Sequence, residues 1–81
     1  MRAKTQDERF IIALYELSQE SDKERFTISK YSVGEKISLH PRGVNAICKL
    51  LLQANFIKKS SEEEIYITEN GASLAKRLLD E

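Results

Sequence analysis

Apolar residues recur along this chain in two rhythms. Phe10, Ile11, Leu14, Tyr15 and Leu17 keep the three-to-four spacing of a helix with one buried side. Just ahead of them, Thr5-Gln6-Asp7-Glu8 fits a capping box, in which the Thr oxygen and the Glu carboxylate satisfy free amides at a helix start. A first helix is therefore predicted from about Gln6 to Gln19. The polar run Ser18 to Arg25 breaks the period and reads as an exposed loop. Phe26-Thr27-Ile28 is β-prone and apolar at alternate positions, which suits a brief strand, and Ser29 can cap a second helix carrying Val33 and Ile37.

After Leu39, His40-Pro41 signals another helix start, because a proline in the first turn loses no hydrogen bond. Val44, Ile47, Leu51 and Ala54 recur at helical spacing and carry that helix to about Gln53. Phe56-Ile57 and Ile65-Tyr66-Ile67 flank the polar stretch Lys58 to Glu64, the pattern of a β-hairpin with a charged tip. Thr68 is placed to cap a last helix from Glu69 to Leu79, with Leu74, Ala75, Leu78 and Leu79 on its apolar side. The predicted order is α-β-α-α-β-β-α, a mainly helical fold with a small β-hairpin.

Composition bounds what such a chain does. Its 81 residues have room for one modest core, so a single domain is expected over residues 5 to 80. A hydrophobic share of 41% against 32% charged belongs to a globular chain rather than a disordered one. Apolar stretches such as Leu50-Leu51-Leu52 are far too short to span a bilayer, and the N-terminus lacks the apolar core of a signal peptide, so a cytoplasmic protein without membrane contact is expected. With one cysteine, Cys48, and one histidine, His40, neither an internal disulfide nor a structural metal site is expected, and no cofactor is implied. No glycine-rich phosphate loop or catalytic constellation is visible, which argues against an enzyme.

Net charge is zero, yet its distribution is uneven. Residues 31 to 60 carry Lys36, Arg42, Lys49, Lys58 and Lys59 against Glu35 alone, whereas residues 61 to 81 carry two positive and six negative side chains. Such asymmetry points to a basic surface on the middle segment.

Residues 30 to 49 resemble a helix-turn-helix. Val33 and Ile37 stand where the first helix of that motif is buried, Gly34 where the two helices approach, Leu39 where the turn is plugged, and Val44 and Ile47 where the second helix is anchored. Ser38 departs from the pattern at a turn position that is usually glycine. The next stretch resembles the remainder of a winged helix-turn-helix domain: Asn55-Phe56-Ile57 leads into the hairpin, or wing, and Ile67-Thr68-Glu69-Asn70-Gly71 is similar to the "LT-x-x-G" opening the last helix of MarR-like and PadR-like regulators. Asn55 stands where glycine is common, and asparagine tolerates the same left-handed backbone.

The resemblance implies a module binding double-stranded DNA in transcriptional regulation, with the helix at about 41 to 53 in the major groove. The side chains it would present are Arg42, Asn45, Ala46 and Lys49, with Gly43 allowing close backbone approach. Arg suits guanine and Asn suits adenine, although a solvated helix face carries such residues too. His40 at the cap of that helix can meet a phosphate or serve only as a cap, and Lys58 and Lys59 on the wing can reach a flanking backbone. Glu62, Glu63 and Glu64 point elsewhere, since three like charges at the tip would face phosphates. They support the alternative, a winged-helix module that holds a protein partner through the acidic wing and the last helix, or they serve solubility alone. Cys48 reads as a small buried apolar residue. Leu52 and Leu79 stand at the edges of their apolar stripes, where each fits either the core or a homodimer contact.

Overall fold

A computed structural model of the chain describes residues 3–21 and 26–81. Helix α1 spans Gln6–Glu20, strand β1 Ile28–Ser29, α2 Lys30–Lys36, α3 Pro41–Gln53, β2 Ile57–Lys59, β3 Glu64–Ile67 and α4 Glu69–Leu79. This is the predicted order, and the architecture is a winged helix-turn-helix. The expected capping box is formed: the Thr5 hydroxyl accepts from the Glu8 N–H, while the Thr5 N–H donates to Glu8 Oε1 at 2.9 Å. Of the predicted loop from Ser18 to Arg25, the helix takes residues as far as Glu20, and 22 to 25 lie outside the described residues.

Helix α1 runs through the centre of the packing. Its Phe10, Ile11, Ala13 and Leu14 are buried against Val33 of α2, Val44, Ile47 and Leu51 of α3, Ile57 and Ile65 of the sheet, and Leu78 of α4. Burying a side chain of that size stabilises a fold by about 1.5–3 kcal/mol relative to exposure, so this cluster is the main source of stability. Ile37 and Leu39, predicted to join it fully, pack against it half-buried. Two predicted core positions lie outside. Ala54 is exposed because it is the C-cap of α3, where the backbone leaves the helix. Leu79 is 46% exposed, because Gly71, Ala75 and Leu78 set the buried stripe of α4 and Leu79 stands beside it.

The sheet has the order β1-β3-β2 with antiparallel pairing throughout. The first strand sits later than the sequence suggests, over Ile28–Ser29 instead of Phe26 to Ile28, because its pairing partners on β3 are Ile65 and Glu64. The charged tip of the hairpin is also shorter than predicted. Lys58 and Lys59 belong to β2 and Glu64 to β3, while the N–H groups of Ser60 and Ser61 both donate to the Glu64 carbonyl, at 2.8 and 3.2 Å.

Two helix ends place the functional face, and both close in the same way. At the end of α2, the Leu39 N–H donates to the Gly34 carbonyl at 2.8 Å and the Ser38 N–H to the Glu35 carbonyl at 3.1 Å, the paired bonds of a Schellman cap. At the end of α3, Phe56 and Asn55 donate in the same pattern to Leu51 and Leu52, at 2.9 and 3.1 Å. The cap needs a left-handed residue, supplied by Ser38 at φ 58° and Asn55 at φ 64°. Gly34 then allows α3 to cross close over α2, since a Cβ there would run into the Val44 side chain.

Candidate nucleic-acid interface

The sequence of α3 divides the helix lengthwise. Val44, Ile47, Cys48 and Leu51 fall on one side at helical spacing and are buried, which turns Arg42, Asn45, Ala46 and Lys49 outward. All four predicted contact residues are exposed. Among the described residues, neither Arg42 nor Lys49 makes an ion pair, so both cations are available to a partner. Gln53, one turn beyond Lys49, is exposed on the same side; its spacing of four from Lys49 was the signal that could have found it.

His40 is the N-cap of α3, and its Nδ1 accepts from the Arg42 N–H at 3.2 Å. The ring thus satisfies one orphan amide, and the residue as a whole is exposed. Gly43 has a packing role. A Cβ there would meet Leu39 Cδ1 at 2.8 Å and Cγ at 3.2 Å, so its bare backbone faces the turn residue rather than the open side.

The two wing lysines part company. Successive strand residues face opposite ways. Lys59 turns toward α3 and lines a groove of about 220 Å³ whose rim also carries Lys30 and Lys49 and whose floor is formed by Cys48, Leu52 and Ile65. Lys58 pairs across the strands with Tyr66 and lines a separate groove with Asn55, Tyr66 and Thr68. Hence the structure gathers Arg42, Asn45, Ala46, Lys49 and Lys59 on the α3 side and leaves Lys58 apart.

Lys30 and Tyr31, at the start of α2, were not singled out from the sequence. Lys30 Nζ lies 5.4 Å from the centroid of the Tyr31 ring, and the Tyr31 hydroxyl donates to Asn45 Oδ1 at 3.3 Å. No local signal announces that contact, because it requires the crossing of α2 and α3. The Lys30 N–H also donates to the Glu63 carbonyl at 2.8 Å, which ties the wing tip to the start of α2. Glu62, Glu63 and Glu64 are exposed and make no ion pair among the described residues.

Cys48 is buried, as expected. Burial pushes its thiol up to about 11, only partly opposed by the positive charge of Lys30, so at neutral pH it carries no thiolate.

No protein-family model matches the sequence, and no curated protein does. Solved structures do match. A MarR family regulator from Neisseria meningitidis superposes with a TM-score of 0.64 at 24% identity, over 89% of this chain and 51% of that one. F-93 of SSV1 superposes with a TM-score of 0.64 at 23% identity, over 95% of this chain and 86% of that one. The chain therefore spans about half the length of the MarR family regulator. At such identities the likeness concerns the fold, and that fold is the one built above from caps, turns and core.

Proposed function

Taking the winged helix-turn-helix fold as given, we propose that this protein is a module that binds double-stranded DNA and acts in transcriptional regulation, with α3 entering the major groove. One observation carries the reading: the open side of α3 presents Arg42, Asn45, Ala46 and Lys49 together, with both cations unpaired among the described residues and Lys59 beside them. Arg42, near the N-terminal end of the helix, pairs with a guanine edge, and Lys49 and Lys59 meet phosphates. His40, exposed at the cap of α3, offers Nε2 to the backbone, while Lys58 serves a flanking contact from the other face of the wing. The role is binding, not catalysis.

Two copies act together, because a single module of this size offers limited contact area and affinity. The exposed Leu79 supports a homodimer contact. It borders an apolar groove with Ile12, Ala13 and Ile37, rimmed by Lys4 and Arg9.

The test is titration against a duplex selected from a random library, repeated at several salt concentrations. Arg42→Ala is expected to cost about 1–3 kcal/mol on the selected site and to relax preference at one base pair. Lys49→Ala should weaken binding to all duplexes alike and make the salt dependence shallower by about one unit of slope. If no site is selected and random duplex shows no salt-dependent binding, the DNA reading is overturned. The second reading, a protein-interaction module using the wing and α4, then takes its place; the exposed carboxylates of Glu62, Glu63 and Glu64 favour it.

A further inference from the structure

Lysines that end side by side, with no acid among them, stand in a repulsive field that an incoming anion relieves. The groove between α3 and the sheet is built this way. Its cations come from three separate elements, Lys30 at the start of α2, Lys49 on α3 and Lys59 at the end of β2, and no acidic side chain lines it. The other two grooves described above are mixed: Glu69 stands in the one that holds Lys58, and Glu16 in the one beside Leu79. Lys30 is also held in place. It is half-buried, and its Nζ stands 5.4 Å from the centroid of the Tyr31 ring, so less side-chain freedom is left to lose when an anion arrives. Its charge reaches the floor of the groove, where it opposes the rise that burial imposes on the Cys48 thiol.

We infer that this groove grips the sugar-phosphate backbone of one strand of the duplex, with Lys30 as a third phosphate contact beside Lys49 and Lys59. A space of about 220 Å³ is too small for a duplex but takes a stretch of a single strand. Phosphates meet the lysines at the rim, and the carbon faces of the sugars lie over the apolar floor of Cys48, Leu52 and Ile65. The strand is then held from both sides, by α3 and by the wing. Contacts of this kind carry no sequence information and fix register instead, so they set how α3 enters the major groove and which base pair Arg42 meets. The inference rests on the DNA-binding reading above and adds to it that one strand is gripped, and by which lysines.

The experiment titrates the selected duplex with wild type, Lys30→Gln, Lys49→Gln, Lys59→Gln and, as a control, Lys36→Gln, each first checked by thermal melting. Lys36 lies at the far end of α2, outside this groove, and its replacement removes the same charge. Lys30→Gln should weaken binding to every duplex alike and make the salt dependence shallower by about one unit of slope per bound copy, whereas Lys36→Gln leaves the slope unchanged. Uncharged methylphosphonate linkages, placed one at a time along each strand, then locate the contacts. The linkage that weakens wild type but not Lys30→Gln marks the phosphate that Lys30 meets. Beneath each copy, the linkages assigned to Lys30, Lys49 and Lys59 should be consecutive on one strand, and inorganic phosphate should release the duplex no better than chloride at equal ionic strength. A Lys30→Gln slope equal to that of wild type, or linkages divided between the two strands, would overturn the inference while DNA binding stands. So would release by inorganic phosphate that exceeds chloride in wild type and not in Lys30→Gln, since the groove would then be a pocket for a free anion. Absence of salt-dependent binding in wild type removes the DNA reading and this inference together. If Lys30→Gln does not fold, the linkages assigned to Lys49 and Lys59 still decide, because they too must share a strand.

Discussion

At the scale of single residues, the two left-handed caps are not equivalent. Asparagine follows glycine in tolerance of that conformation, whereas a serine bears the full steric cost, about 1–2 kcal/mol. Ser38→Gly relieves that cost but adds freedom to the unfolded chain, which offsets about 0.4–1 kcal/mol. Stability should therefore rise by up to about 1.6 kcal/mol, read as a higher denaturant midpoint at unchanged slope; a lower midpoint would contradict the cap geometry. Asn55→Gly should raise stability less than Ser38→Gly does, because asparagine already tolerates the left-handed backbone. Cys48 makes a second residue-scale prediction. The unfolded thiol loses its proton near pH 9.0 and the folded one near 11, so between these values the folded state binds more protons. Stability from this group is complete below pH 9 and falls as pH rises toward 11, at a slope of about 1.4 kcal/mol for each pH unit crossed. Wild type should thus lose more stability than Cys48→Ala over that window. Parallel stability curves for the two would show that the thiol titrates alike in both states.

At the scale of elements, the wing is where local pattern and tertiary placement differ most. Its tip is bonded through the Glu63 carbonyl to the N–H of Lys30, whose side chain rims the groove beside α3, so the backbone of the tip is tied to the start of α2. Replacing Glu62, Glu63 and Glu64 with Gln should raise affinity for random duplex, most clearly at low salt where screening is weakest. It should leave the melting midpoint nearly unchanged, since surface substitutions away from special features usually stay within about 0.5 kcal/mol. Unchanged affinity at every salt concentration would mean that the tip faces away from DNA. The helices were legible because their starts are written in single residues: Thr5, Ser29, Thr68 and the pair His40-Pro41 each announce a cap from a few neighbours. Strand β1 was misplaced because its bounds depend on partners in β3 more than thirty residues away. The exposed face of α3 followed from periodicity, whereas the side of Gly43 that is crowded and the hold of Tyr31 on Asn45 exist only once α2 and α3 cross.

At the scale of the whole molecule, zero net charge removes any net pull toward a polyanion. Attraction must come from the near field of the middle segment, where cations outnumber Glu35, and it fades within a Debye length of about 10 Å at 0.1 M salt. On the DNA-binding reading proposed above, encounter would therefore depend on orientation, with the α3 side foremost. The order β1-β3-β2 has another consequence. Strand β2 pairs only with β3 among the described residues, so its far flank is open backbone, the kind of rim on which foreign chains build fibrils and clumps. This strand is short, and two of its positions are lysine, both features that discourage such growth. Lys58 and Lys59 thus act as gatekeepers against self-aggregation whatever else they touch, and a variant lacking both must be shown to stay dispersed before any loss of binding is assigned to lost phosphate contacts.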